Sequence, residues 1–207
     1  MNKIFILLLL IPTIVFASEK TLTNNSTNVF YNRTVGFKVT KPASWHFITA
    51  EQNYEMLQEV SLEDKEFEKL LKERSNAPLV AFTKYPIPHE DLNPSFKVGI
   101  KPIGVVDNFE PVKTLEFIMS NIKPIIGDFT TEKEPQKISI SGIESAYGSF
   151  IYTMNTNNGE AFPVRSEMWL VPKGRYFFMI GSGARQDAKQ ETREEIMSII
   201  DSIVIEQ

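Results

Sequence analysis

Several short stretches of the chain have the hydrophobic pattern of β-strands, either alternating with polar residues or forming a short continuous apolar run. They are residues 37–40, 77–85, 95–103, 136–154, 162–171 and 175–181. Asn157-Asn158-Gly159 and Pro172-Lys173-Gly174 separate the last of these stretches, and such residues favour hairpin turns. The pattern therefore predicts a mainly antiparallel sheet.

Other stretches place hydrophobic residues three or four positions apart, which is the spacing of one helix face. The strongest follows Pro111, and another begins near Asp187; weaker patterns cover residues 51–60 and 61–74. The glycine-rich residues 181–185 (GSGAR) are expected to form a turn before the last helix. Because a few helices interrupt a run of antiparallel strands, the sequence predicts one α+β domain over residues 29–207.

The first residues do not fit this domain. Lys3 precedes an apolar run over residues 4–16, which is the pattern of a secretory signal peptide. An uncleaved membrane anchor is the alternative, but the run is shorter than the about 20 residues that a spanning helix needs, and Pro12 interrupts it. We expect a signal peptide over residues 1–17, a flexible leader over residues 18–28, and no stable membrane span after cleavage.

The overall charge and the absence of cysteine exclude several classes of function. The chain has 22 basic and 26 acidic residues and no basic run, so binding to nucleic acid or to anionic lipid is not expected. It has no cysteine, which excludes disulfides, cysteine nucleophiles and thiolate metal sites. No pattern indicates a cofactor.

The order of these elements resembles that of the PsbP-like fold. The segments that carry the resemblance are GFKVTKPASW, ISGIESAYGSF and EMWLVPKGRYFFMIGSG, and it extends over about residues 29–205. The resemblance implies a central antiparallel sheet covered by helices on both faces, an α/β/α sandwich. Known members of this group, which includes the Mog-type Ran-binding proteins, are binding or accessory proteins, so the resemblance also implies a non-catalytic role.

Two histidines are the candidate imidazole bases of the chain. His46 follows Trp45 in a strand pattern, and neither it nor His89 accompanies a Gly-x-Ser-x-Gly nucleophile elbow. A periplasmic hydrolase or metal-dependent enzyme that uses one of them is nevertheless an alternative. His89, Glu90 and Asp91 are the weak candidates for metal ligands, although three consecutive loop residues seldom converge on one ion.

Two further sets of residues are candidates for partner binding. The first lies in the proline-rich loop YPIPHEDLNP and comprises Pro86, Pro88 and His89; the alternative is a plain connecting loop. The second comprises Arg165, Glu167 and Trp169 in one strand. Arg165 and Glu167 are expected on the same side of the strand, where they could contact a partner or lie under a helix with a cross-strand ion pair. Trp169 is also a candidate for the core.

The sequence therefore predicts an exported accessory or binding protein without catalytic activity, in a bacterial periplasm or outside the cell. Its partner would be a protein or a small molecule of the cell envelope. The rigid sheet of this protein would present its loops to that partner.

We expect the chain, expressed in a bacterial host, to lose residues 1–17 on export, because the apolar run is too short and interrupted to remain as an anchor. Mass spectrometry of the purified protein should identify Ser18 as its first residue. Recovery of the intact chain from the membrane fraction would contradict this prediction.

Overall fold

The structure is a computed structural model that describes residues 28–59, 77–104, 108–126, 128–156 and 159–206, and positions 65, 68, 69 and 72. The expected signal peptide, most of the expected leader and most of the expected helix over residues 61–74 lie outside the described residues. The strands are β1 (Val29–Asn32), β2 (Phe37–Thr40), β3 (His46–Phe47), β4 (Val80–Thr83), β5 (Ser95–Pro102), β6 (Thr130–Ile140), β7 (Ile143–Asn155), β8 (Ala161–Lys173), β9 (Tyr176–Arg185) and β10 (Val204–Ile205). The helices are α1 (Ala50–Glu59), α2 (Pro111–Ile122) and α3 (Gln190–Asp201). None of the helices in these ranges has the length and hydrophobicity needed to cross a membrane.

The strands form two antiparallel sheets, which confirms the α+β class. The large sheet has the order β3-β4-β5-β9-β8-β7-β6, and the small one has the order β1-β2-β10. All the pairings between neighbouring strands are antiparallel. The small sheet joins the two ends of the domain, since Val204 pairs with Lys38. The pattern of residues 37–40 had indicated β2, but no pattern had indicated that the end of the chain pairs with it.

Successive residues of the central strands β8 and β9 belong to two different hydrophobic clusters. One cluster includes Met168, Leu170, Phe177 and Met179, and with them Leu115, Ile118 and Met119 of α2. The other includes Trp169, Val171, Phe178 and Ile180, and with them Ile196, Ile199 and Ile200 of α3. Side chains of a strand alternate between its two faces, so each central strand contributes to both clusters.

Helix α2 approaches the large sheet closely at Gly148 of β7. A Cβ atom at this position would lie 2.9 Å from the Met119 sulfur and 3.5 Å from a methyl carbon of Leu115. A larger residue here would force the Met119 side chain to shift, so glycine allows the close contact with the helix.

The turn between β6 and β7 is tight and uses a left-handed backbone. Ser141 and Gly142 have φ values of 52° and 76°, which suit a two-residue hairpin. The next hairpin closes through a hydrogen bond from the Thr156 amide to the Glu160 carbonyl at 2.9 Å. Asn157 and Asn158, which had indicated this turn, lie outside the described residues.

The expectation of a turn at residues 181–185 is wrong. These residues form the end of β9, where Gly181 pairs with Lys97 of β5 and Gly183 pairs with Ser95. The glycines leave room for the side chains of neighbouring strands on the crowded sheet. The chain turns only after Arg185, and α3 begins at Gln190 instead of near Asp187.

A lysine is buried in the large sheet. Lys97 is 4% exposed, and its cross-strand neighbours are the small residues Ala81 and Gly181. Because Phe96 and Val98 belong to the cluster of α3, the alternation of β5 directs Lys97 to the opposite face. Burial lowers the pKa of its ammonium group to about 8.

We expect this lysine to make stability depend on pH. Between pH of about 8 and 10.5 the unfolded chain binds a proton at Lys97 that the folded chain has lost, so the free energy of unfolding increases with pH by up to about 1.4 kcal/mol per unit. Urea denaturation across this range should show the increase in the wild-type protein and in Lys38→Met, which alters an exposed lysine. It should be reduced in Lys97→Met, and identical pH profiles of wild type and Lys97→Met would contradict the assignment.

Candidate functional site

A cleft lies where α3 begins, beside β8 and the end of β9. Arg165 and Glu167 of β8 line it together with residues of β9 and of the first turn of α3. The other lining residues are Ser182, Ala184, Arg185, Ala188, Lys189, Thr192, Arg193 and Ile196. The cleft is therefore rich in cationic side chains, although the whole chain is acidic.

The carboxylate of Glu167 is the deepest charged group of the cleft. Its side chain is 3% exposed, and its Oε1 accepts a hydrogen bond of 2.7 Å from the Tyr147 hydroxyl. The same oxygen accepts a short hydrogen bond from the guanidinium of Arg193 on α3. A buried carboxylate is tolerated when a cation and hydrogen-bond donors compensate for its lost hydration. Burial and the neighbouring Glu167 charge raise the pKa of the Tyr147 hydroxyl, which keeps it protonated as a donor.

Arg165 forms a different ion pair, with Glu132 of β6. Its Nε and Nη2 donate hydrogen bonds of 2.7–3.0 Å to the two carboxylate oxygens. Ser149 of β7 donates to the same carboxylate at 3.1 Å. Burial alone would raise the pKa of Glu132, but the hydrogen bonds and charge of Arg165 outweigh it, and the pKa is lowered. Arg165 and Glu167 thus share one cleft, but each has its own partner.

Ser182 is the one polar side chain of the described cleft lining that is both buried and without a hydrogen bond. It is 1% exposed, and its Oγ has no partner among the described residues. Ser182 lies directly across the ladder from Glu167. A buried hydroxyl without a partner costs about 1–3 kcal/mol, so this position is unfavourable unless another group bonds to it.

The proline-rich loop lies beside this cleft and is held firmly at its base. The side-chain amide of Asn93 bonds to both the backbone N–H and the carbonyl of Tyr85, at 3.0 and 2.9 Å. Leu92 is 2% exposed and belongs to the cluster of α2. Asp91 accepts a hydrogen bond of 3.2 Å from Arg185 of the cleft. These contacts fix the loop while its tip remains at the surface.

The predicted partner-binding residues of the loop lie at this tip. Pro86 and Pro88 are exposed, and the peptide bond before Pro88 is cis. His89 is half-buried because its ring stacks on Tyr85 with 4.5 Å between the ring centres. Tyr85 itself is 40% exposed. Trp169, by contrast, is 1% exposed and packs beside Tyr147 in the core, which is the alternative that its sequence context left open.

The histidines are not assembled into a catalytic group within the described residues. His46 is half-buried on the short edge strand β3, where burial and the nearby Lys41 charge lower its pKa. Neither His46 nor His89 has a hydrogen bond to a carboxylate or hydroxyl of any described residue. His89, Glu90 and Asp91 do not converge, and the described part of the chain contains no group of three or more potential ligands placed to hold a metal ion.

Sequence analysis did not identify Arg193, Tyr147, Ser182 or Glu132 as neighbours of the two predicted residues. Tyr147 and Glu132 come from strands that precede β8, and Arg193 comes from a helix that follows it. Only strand register and helix placement bring them together. A charged residue in the middle of an apolar strand, as Glu167 is, was the one available signal that a compensating cation lies elsewhere in the chain.

Comparison with known proteins supports the fold. The chain matches no protein-family model and no curated protein. Among solved structures it is similar to LpqN of Mycobacterium tuberculosis, a protein involved in cell envelope biogenesis, at 13% identity and a TM-score of 0.52, with 83% of each chain covered. It is also similar to the cyanobacterial PsbP of Synechocystis sp. PCC 6803, at 11% identity and a TM-score of 0.50, covering 92% of this chain and 98% of that one. A variant of the protein Mog1 matches at 11% identity and a TM-score of 0.50, covering 88% of this chain and 96% of that one.

At these identities the likeness shows the fold alone. It confirms the resemblance to the PsbP- and Mog1-like fold that the element order had indicated.

We expect Arg193→Met to destabilise the protein at neutral pH, because it leaves the Glu167 carboxylate buried without its cation. The loss should be about 2 kcal/mol, less than the about 3–5 kcal/mol of a fully buried pair since the guanidinium is partly exposed.

Urea denaturation at pH 7 measures this loss of stability. The double variant Arg193→Met with Glu167→Gln should recover much of the stability, and Arg175→Met, at an exposed arginine, should change it by no more than about 0.5 kcal/mol. An Arg193→Met protein as stable as wild type at pH 7 would contradict this account of the pair.

Proposed function

We propose that this protein is a non-enzymatic binding protein of the bacterial cell envelope, and that it recognises a protein partner with the tip of the proline-rich loop, residues 85–89. The observation that carries the proposal is the combination of a fixed loop base with an exposed tip. Asn93 and Asp91 hold the base through hydrogen bonds, while Tyr85, Pro86 and Pro88 are exposed.

The composition of the tip suits recognition. A tyrosine supplies a large contact area with few rotatable bonds, and this residue type is enriched among the residues that dominate binding energy. The stacked His89 ring and the Lys84 ammonium, 5.9 Å from the centre of the Tyr85 ring, restrict the tyrosine further. A surface that is already ordered loses less conformational entropy on binding.

The arrangement of polar residues favours binding over turnover. Glu167, Glu132 and Asp91 each pair with an arginine, and the pairing lowers the pKa of Glu132. General acid–base catalysis needs a group with a pKa near the working pH that reaches its substrate. Among the described residues, neither histidine has a hydrogen bond to a carboxylate or hydroxyl that would orient its ring for proton transfer.

The location in the envelope rests on the signal-peptide pattern of residues 1–17. The similarity to LpqN, which is involved in cell envelope biogenesis, supports it. The proposal also includes an α/β/α arrangement with helices over both faces of the large sheet, which the division of the central strands between the clusters of α2 and α3 supports. A sheet held in this way would keep the loop in place.

We expect Tyr85→Ala to weaken partner binding at least about tenfold, since residues of this kind contribute most of the energy of an interface. The test is chemical crosslinking in the bacterium that encodes the chain, followed by affinity purification of the tagged protein and measurement of binding to the recovered partner. Tyr54→Ala is the matched control, because Tyr54 is 62% exposed on α1.

Circular dichroism should show that both variants fold as wild type does. A reproducible partner that binds wild type and Tyr54→Ala but not Tyr85→Ala supports the proposal. The proposal is wrong if no partner is recovered reproducibly, or if Tyr85→Ala binds the partner as tightly as wild type.

A further inference from the structure

We propose that the cleft at the start of α3 binds a phosphate group, either as free phosphate or as part of a small phosphorylated molecule. This site is separate from the loop tip of the proposed function. Three observations carry the inference: the charge of the lining residues, the helix end that opens onto the cleft, and the buried hydroxyl of Ser182 without a partner.

The lining residues supply several hydrogen-bond donors for an anion. Arg165, Arg185, Lys189 and Arg193 contribute four positive charges to the lining, and Glu167 contributes one negative charge. Glu167 is already compensated, since Arg193 and Tyr147 donate hydrogen bonds to its Oε1. The carboxylates paired with Arg165 and Arg185 are Glu132, Asp91 and Asp187, and none of these three is part of the lining. Each arginine is thus paired with a carboxylate, and Lys189 supplies the positive charge of the lining that no described carboxylate pairs with.

The first turn of α3 faces the same space. Lys189 is the N-cap residue of this 12-residue helix, and its side chain makes no capping hydrogen bond. Lys189, Thr192 and Arg193 of this turn all line the cleft. The first N–H groups of a helix lack partners within the helix, and its dipole favours negative charge at this end. Phosphate groups bind at such positions.

Lys189 adds a mobile donor at the mouth of the cleft. It is exposed, and no described residue forms an ion pair with its ammonium group. Its charge is therefore available to an incoming anion, whereas the arginines nearby are positioned by their carboxylate partners. A pre-positioned guanidinium supplies directional donors to a phosphate, and a lysine supplies a point charge.

Ser182 provides the observation that is independent of charge. Its Oγ is buried in the wall of the cleft and has no partner among the described residues. A hydroxyl in this position donates readily to a phosphate oxygen. If it served only packing, alanine would fill the position without the cost of burying a polar group. The hydroxyl is thus explained by a ligand that accepts a hydrogen bond from it.

The experiment is a titration of the purified protein with sodium phosphate at pH 7.5, followed by amide chemical shifts in ¹⁵N–¹H NMR spectra. Sodium chloride at matched ionic strength and sodium acetate are the comparison titrations. We expect saturable shifts for residues 182–193 with phosphate, and no saturable shifts there with chloride or acetate. Saturation with a phosphorylated metabolite at lower concentration than with phosphate would identify the phosphate as part of a larger ligand.

Two variants test the assigned donors. Ser182→Ala should weaken phosphate binding by about tenfold or more, as expected for a lost hydrogen bond to a charged group, and Lys189→Gln should weaken it about threefold. Ser198→Ala and Lys123→Gln change exposed residues of the same types elsewhere and should bind phosphate as wild type does. Tyr85→Ala should also bind phosphate normally, because the loop tip is not part of the cleft.

Stability measurements separate a binding role of Ser182 from a structural one. Without phosphate, Ser182→Ala should be as stable as wild type or more stable, because it removes a buried hydroxyl without a partner. At the same phosphate concentration, wild type and the control variants should gain more stability than Ser182→Ala does. The inference is wrong if phosphate produces no saturable shifts, if acetate produces the same shifts, or if Ser182→Ala binds phosphate as tightly as wild type.

Discussion

Burial of the central strands β8 and β9 is the constraint on which the rest of the structure depends. Nearly every residue from Met168 to Val171 and from Phe177 to Ala184 is buried, and successive residues belong to the clusters of α2 and α3. A polar side chain in such a strand loses its hydration, at a cost that a nearby partner can offset. Helices α2 and α3 each contribute residues to one of the two clusters. Gly148 shows how closely one of them approaches.

Glu167 is the charged residue that the burial of β8 affects most. A carboxylate in a buried strand requires a cation, and Arg193 of α3 supplies it. The pair links the sheet to the first turn of the helix, and the polar groups gathered around it form the cleft. Ser182 lies opposite Glu167 in the ladder and is also buried. Its hydroxyl, unlike the Glu167 carboxylate, has no hydrogen-bond partner among the described residues. The cleft therefore forms because two polar residues, Glu167 and Ser182, lie side by side among the apolar residues of β8 and β9.

The loop and the cleft are neighbours, joined by the ion pair between Asp91 and Arg185. Their chemistries differ, since the loop tip is aromatic and proline-rich whereas the cleft is cationic. Both lie at the same end of the large sheet, where Ser95 at the start of β5 pairs with Gly183 near the end of β9.

The sequence by itself determined the α+β class, the antiparallel pairing of β6 to β9 and the helix after Pro111, because period, proline and turn residues act over a few positions. It also placed Arg165 and Glu167 on one face of their strand, since alternation is local. Only the tertiary structure decided that β10 joins β1 and β2, that residues 181–185 continue a strand, and that Arg193 and Tyr147 meet at Glu167. These outcomes depend on strand register and on helix docking over long separations in the chain, and no local pattern encodes the energy of burying one polar group against another.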